Sequence, residues 1–286
     1  MLKTSVKNHF KTIIRDPVTV IAFLAGLIMM YIDGVKGYYA VDQLDMDLLG
    51  FGDYDYVMNL VIDSIDKPIT EIGFPFLAIV IAAHIFKDRR TEMSDILLAS
   101  KIPFRTYYWS RIISYYLVGL AMCLCMTVSF ELAYVLINSP LPFEVDWIWI
   151  LISHIVMQIV LYIACLPIPI AFAVFLSSLT GKTWIGVVFN CVYGFLPWTF
   201  SWYFSSRFYL YAHVTPLKLI VYLKYWCLHL DDPFDSHIMD IDNPLFGPYM
   251  SNFAQALHSF VCLALLSAVF LTFSYVLLKR RFQKCL

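Results

Sequence analysis

Residues 253–278, FAQALHSFVCLALLSAVFLTFSYVLL, run for 26 positions without one Asp, Glu, Lys or Arg, then break into Lys279, Arg280 and Arg281. A stretch that apolar constrains the whole chain. About 20 apolar residues in helical geometry match the hydrocarbon core of a bilayer, where each backbone N–H and C=O must be paired inside the segment. Further apolar runs lie at about residues 17–32, 71–86, 107–137, 147–179 and 183–204. With 14% charged residues against roughly 25% in soluble domains, the chain falls outside the soluble class. A transmembrane β-barrel would alternate apolar and polar residues over ~10-residue segments, and these runs do not alternate. The chain therefore reads as an all-α polytopic membrane protein with six transmembrane helices. The runs at 17–32 and 71–86 are short for a bilayer, so adjoining polar turns are expected to extend them.

Charge orients the spans. Four basic residues lie at the N-terminus (Lys3, Lys7, Lys11, Arg15), six in 87–111, one at Lys182 and four at the C-terminus (Lys279, Arg280, Arg281, Lys284), which is 15 of the 20 Lys and Arg. The opposite segments hold only Lys36, Lys67, Arg207, Lys218 and Lys224. Under the positive-inside rule both termini are cytoplasmic and segments 33–70 and 205–251 are extracellular. Segment 33–70 is acidic, with eight Asp against two Lys. Segment 205–251 holds an apolar-aromatic run at 216–230, which Lys218 and Lys224 make a poor span. That run reads as a re-entrant or an interfacial helix pair, so the outer segment between spans 5 and 6 is partly helical.

Residues 1–16 place Lys3, Lys7, Lys11 and Arg15 at helical spacing, with Val6, Phe10, Ile13 and Ile14 on the other side. This pattern predicts an amphipathic helix lying in the membrane interface. A second polar element, HIFKDRRTEMSDILLASKIPFRTYYWSR at 84–111, separates spans 2 and 3. Thr91 suits an N-cap, and Glu92 and Asp95 fall in the first turns, where the helix dipole favours negative charge. Met93, Ile96 and Leu97 form one apolar stripe at i, i+3 and i+4. Pro103 ends that element and allows a new helix to begin at 103–105.

Chemistry-bearing motifs are sparse. The chain has no G-x-x-x-x-G-K-[ST], H-E-x-x-H or G-x-S-x-G, so no nucleotide, zinc-protease or serine-hydrolase site is written in it. Its seven Cys include no C-x-x-C and most lie in apolar runs, as small free-thiol residues do. His84 and His154 lie near span ends, where a hydrogen-bonded role is the simpler reading than a metal ligand. Glu131, late in span 3, has two open positions: facing a cavity inside the bundle, or sitting at the outer rim. Pro167 and Pro169 should kink or break span 4. Trp198 and Trp202 belong to an aromatic cluster that suits an outer interfacial belt, with a share in a substrate path as the competing role.

The loop pattern resembles a known family. Arg89, Arg90 and Glu92, then Ile96-Leu97-Leu98-Ala99-Ser100, Pro103 and Arg105, together with six spans and an N-terminal interfacial helix, resemble an ABC-2 type transporter permease. Met93 and Ser94 stand where that family often writes a glycine. The resemblance implies one transmembrane permease domain over 1–286. Residues 87–106 would be its cytoplasmic coupling loop, with the ATPase-coupling contacts at Arg89, Arg90, Glu92, Met93, Ile96, Leu97, Pro103 and Arg105. It also implies two separate ABC ATPase subunits that hold ATP and Mg, and a second permease subunit, identical or homologous. No cofactor is expected on this chain, no enzymatic activity of its own and no nucleic-acid partner. A substrate path would involve Glu131, Pro167, Pro169, Trp198 and Trp202, for amphipathic or lipophilic cargo such as a peptide, antibiotic or lipid-linked molecule. The alternative is a membrane anchor or sensor subunit whose loop recruits a cytoplasmic partner without transport.

Overall fold

A computed structural model of the chain describes residues 2–42, 74–90, 103–137, 159–180 and 252–284, with the single positions 156, 185 and 188. Among the described residues there is no strand, and the elements are α1 (Leu2–Arg15), α2 (Pro17–Asp42), α3 (Phe74–Arg90), α4 (Phe104–Ile137), α5 (Pro167–Thr180) and α6 (Asn252–Lys284). Among the described residues, three helical stretches are long and apolar enough to cross a bilayer: Phe104–Phe130, Ile159–Leu179 and Leu257–Arg280. A fourth arises if α1 and the first part of α2, bent by 65°, count as one span. The apolar part of α3, Pro75–Ile85, is shorter. Six spans were expected; the fifth run, 183–204, lies outside the described residues apart from the single positions 185 and 188.

Helix ends differ from the expected boundaries for local reasons. The α2 helix continues to Asp42, ten residues into the segment expected to be a loop. The α3 helix keeps its geometry through Arg90, so residues 87–90 extend the short apolar run 71–86 as a helix. The α4 helix starts at Phe104, directly after Pro103, whose carbonyl accepts the N–H groups of Thr106 (2.9 Å) and Tyr107 (3.2 Å). At 166 a turn interrupts span 4 and α5 restarts at Pro167, a first helical position where no N–H is needed.

The break between α1 and α2 follows from Asp16-Pro17. Pro17 has no N–H for the Ile13 carbonyl, which takes the N–H of Asp16 instead at 3.2 Å. The Asp16 carboxylate then caps α2 by accepting the Val18 N–H at 3.0 Å.

The α4 helix is the central strut, with α1 and α2 packed along it, while α5 packs between α3 and α6. Ile13, Met30, Leu77, Ile81, Tyr115, Met126, Leu161, Tyr162 and Leu166 are the largest fully buried side chains. Gly119 permits a close approach, since a Cβ there would meet Leu77 Cδ2 at 2.9 Å and Leu166 Cδ2 at 3.3 Å. Ile21, Leu24 and Ile28 of α2, and Leu265 and Phe273 of α6, face outward, as lipid-facing residues do.

Direction can be read from contacts. The start of α4 meets the late part of α6, where Tyr108 Oη donates to the Leu271 carbonyl at 2.8 Å and its ring lies 5.2 Å from that of Tyr275. The helical run into α5 also opposes α4: the Thr127 and Tyr162 hydroxyls are hydrogen-bonded, and Leu166 reaches back to Gly119. Both α5 and α6 therefore run against α4 and parallel to each other.

Candidate functional site

The sequence-predicted coupling residues are only partly placed. Arg89 and Arg90 lie in the last turn of α3. Glu92, Met93, Ile96 and Leu97 lie outside the described residues. Pro103 and Arg105 are exposed at the head of α4. Of the substrate-path candidates, Glu131 is in the last third of α4. Pro167 is half-buried and Pro169 buried in the first turn of α5, while Trp198 and Trp202 fall outside the described residues. Of these residues, only the two prolines have described side chains.

What it does assemble is a polar junction where the α1–α2 bend, the end of α3 and the start of α4 meet. Lys87 Nζ donates to Asp16 Oδ2 at 3.0 Å, across 71 residues of sequence. Asp16 is 8% exposed, so this carboxylate sits in protein rather than water, although Lys87 itself is largely exposed. Arg111, 7% exposed, donates from Nη1 to Tyr115 Oη at 3.3 Å and lies over the Tyr107 ring, 5.5 Å from its centroid. His9 meets the same Tyr107 ring edge-on at 5.6 Å, and His84 packs 6.4 Å from the Tyr115 ring. Ser5 Oγ donates to Ser110 Oγ at 2.9 Å, and Ser114 Oγ lies 3.2 Å from the Val6 carbonyl, so α1 is pinned to α4 by polar contacts as well.

The electrostatics follow from this crowding. Burial works against ionisation of Asp16. The Lys87 hydrogen bond, the Val18 N–H and the nearby His84 and Lys87 charges outweigh it and hold the carboxyl below its ordinary value. His9 moves from 6.5 down to about 4, first through burial and then through the charges of Arg111 and His84. At neutral pH the junction thus holds an ionised Asp16 and a neutral His9. It has no grouping of His, Cys, Asp or Glu fit for a metal among the described residues. Its contacts join the α1–α2 bend, the end of α3 and the start of α4 to one another.

The described basic side chains also gather here. Lys87 and Arg111 belong to the junction, and Lys3, Lys7, Lys11 and Arg15 lie along α1 beside it. Arg105 opens α4, and Lys279 and Arg280 follow one turn after Tyr275, whose ring is 5.3 Å from Phe104. Comparison with protein-family models and with curated proteins gave no match. Sequence reasoning missed the junction because its central pair is remote in sequence. The visible signal was Asp16-Pro17 between an amphipathic and an apolar helix.

Proposed function

We propose that the chain is the membrane subunit of an ATP-driven exporter of the ABC-2 type, which forms a substrate path and couples to a separate ATPase subunit. The observation that carries this reading is the junction itself. The end of α3 and the start of α4, which flank residues 91–102 in sequence, both belong to one polar cluster with the α1–α2 bend. The expected coupling residues Glu92, Met93, Ile96 and Leu97 fall in that intervening segment. A push on that segment by a docked ATPase would reach these helices together through Lys87–Asp16 and the His84–Tyr115 and His9–Tyr107 contacts. The gathering of basic side chains at this end supports its placement in the cytoplasm.

The parallel run of α5 and α6 supports the six-span reading. A chain that leaves α5 at one face and enters α6 at the other needs an odd number of crossings between them, and the apolar run 183–204 is suited to that role. ATP and Mg belong to the partner ATPase, and the working assembly would hold two ATPases and two permease subunits. The aromatic, apolar interior suits amphipathic or lipophilic cargo.

The test is co-purification. The membrane-extracted chain is expected to bring down an ATPase carrying nucleotide-binding motifs, with hydrolysis stimulated on reconstitution. The double variant Ile96→Ala, Leu97→Ala should insert normally but lose most of that ATPase, since each buried aliphatic side chain is worth about 1.5–3 kcal/mol. A variant that retains the ATPase and its stimulation would remove the coupling assignment. Recovery of a different cytoplasmic partner without transport would favour the anchor or sensor reading.

A further inference from the structure

An amphipathic helix alone on a bilayer buries its apolar side in lipid. The α1 helix cannot do so with Val6, Phe10 and Ile13, because that side is already covered by protein. Ile13 is completely buried, Phe10 packs against the same core, and Ser114 of α4 reaches the Val6 carbonyl. The opposite side is what remains. Lys3, Lys7, Lys11 and Arg15 follow one another at four-residue steps, each about 6 Å further along the axis, and all four are exposed. There is no acidic residue in α1, and Asp16, which follows it in sequence, is buried against Lys87. Leu2 and Ile14, both 43% exposed, flank the lysines with apolar surface.

From this we infer that the ridge of Lys3, Lys7, Lys11 and Arg15 is a docking surface for anionic phospholipid headgroups of the leaflet at the basic end of the bundle. The binding is electrostatic, held at headgroup level by the adjoining apolar α2, and not the immersion of an apolar face. The partner is assigned by charge complementarity and by continuity with a membrane-spanning bundle. The assignment rests on membrane placement and not on transport, so its failure leaves the exporter proposal standing and the reverse also holds.

Each basic residue near an anionic surface contributes about a fivefold preference, and the preference falls as salt screens it. The experiment titrates the detergent-purified full chain with phosphatidylglycerol or phosphatidylcholine and counts bound lipid by native mass spectrometry. Wild type is expected to bind phosphatidylglycerol at least about fivefold more tightly, with the difference shrinking at raised ionic strength. The quadruple variant Lys3→Gln, Lys7→Gln, Lys11→Gln, Arg15→Gln should bind the two lipids alike, and the variant with Arg at all three lysine positions should keep the preference. Equal affinities in wild type, or a preference intact in the Gln variant, overturn the inference. So does a Gln variant with unchanged lipid preference that no longer retains its ATPase, which would make the ridge a protein-docking face.

Discussion

Tyr116 donates its hydroxyl proton to the carbonyl of Ile163 at 3.0 Å. Ile163 is four residues before Pro167, so its carbonyl is the acceptor that the proline leaves without a helical donor. Ile163 is half exposed on the outer surface of the bundle, where hydrocarbon offers no replacement water. Replacing Tyr116 by Phe is therefore expected to destabilise the fold by about 0.6 kcal/mol, the average for hydrogen bonds between membrane helices, and by no more than about 1.7 kcal/mol. In a Pro167→Ala background residue 167 regains its own N–H, and the cost of Tyr116→Phe should largely vanish. Thermal unfolding of the four proteins in detergent closes the double-mutant cycle. Additive effects would mean that the hydroxyl does not serve the proline break.

Asp16 does two jobs that two substitutions can separate. It caps α2 through the Val18 N–H and pairs with Lys87. Asn keeps the cap and loses the charge; Ala loses both. Because Lys87 is 59% exposed, the ion pair is worth only about 0.2–1 kcal/mol, whereas a lost cap costs about 0.5–2 kcal/mol. Asp16→Ala should thus lower the melting temperature clearly more than Asp16→Asn. An equal loss from both would put the whole weight on the ion pair.

Titration of the junction falls into two pH windows. His9 in the folded chain binds its proton at about 4, well below the ordinary 6.5, so unfolding takes up a proton between those values. Stability is full above 6.5, declines as pH falls, and has lost this contribution once pH passes through about 4. Asp16, also held below its ordinary value, loses its contribution only below the usual carboxylate range near ~4. The variant His9→Gln should flatten the upper window and leave the lower one. Urea or thermal unfolding against pH reads both, and an unchanged slope between 6.5 and 4 would mean that His9 is not shielded as described.

The membrane helices were legible because an uncharged run admits few alternatives, and the start of α4 because Pro103 writes a helix boundary locally. The restart at Pro167 was legible for the same reason. The junction was not. An Asp before a proline looks like a helix end and nothing more, and its pairing with Lys87 exists only after α3 returns to the α1–α2 bend. Periodicity likewise showed that α1 has an apolar stripe but not what covers it. The stripe through Val6, Phe10 and Ile13 lies against α4, leaving the lysines as the outward surface. The polar end of α3 follows the expectation that adjoining turns extend the short run 71–86: Lys87 to Arg90 complete a helix whose C-terminal dipole favours basic residues.

The parallel course of α5 and α6 yields the most direct test of topology. Thr180 ends α5 toward the basic end of the bundle, and the 33 residues of α6 carry the chain back to that end from Asn252, about 50 Å away along its axis. If both helices cross the bilayer, positions just after α5 and just before α6 are expected on opposite faces of the membrane. In a background with the native Cys removed, Lys182→Cys should be protected from an impermeant maleimide in intact cells and labelled in inverted vesicles. Asp45→Cys and Ser236→Cys should label from outside. If Lys182 and Ser236 label from the same side, the number of crossings between α5 and α6 is even or the run 216–230 crosses the bilayer. If Asp45 alone labels from inside, α2 does not cross and the bent α1–α2 pair lies on one face. Only labelling of Asp45 and Ser236 together, opposite to Lys182, agrees with both the helix directions and the expectation from charge that fifteen basic residues share one side.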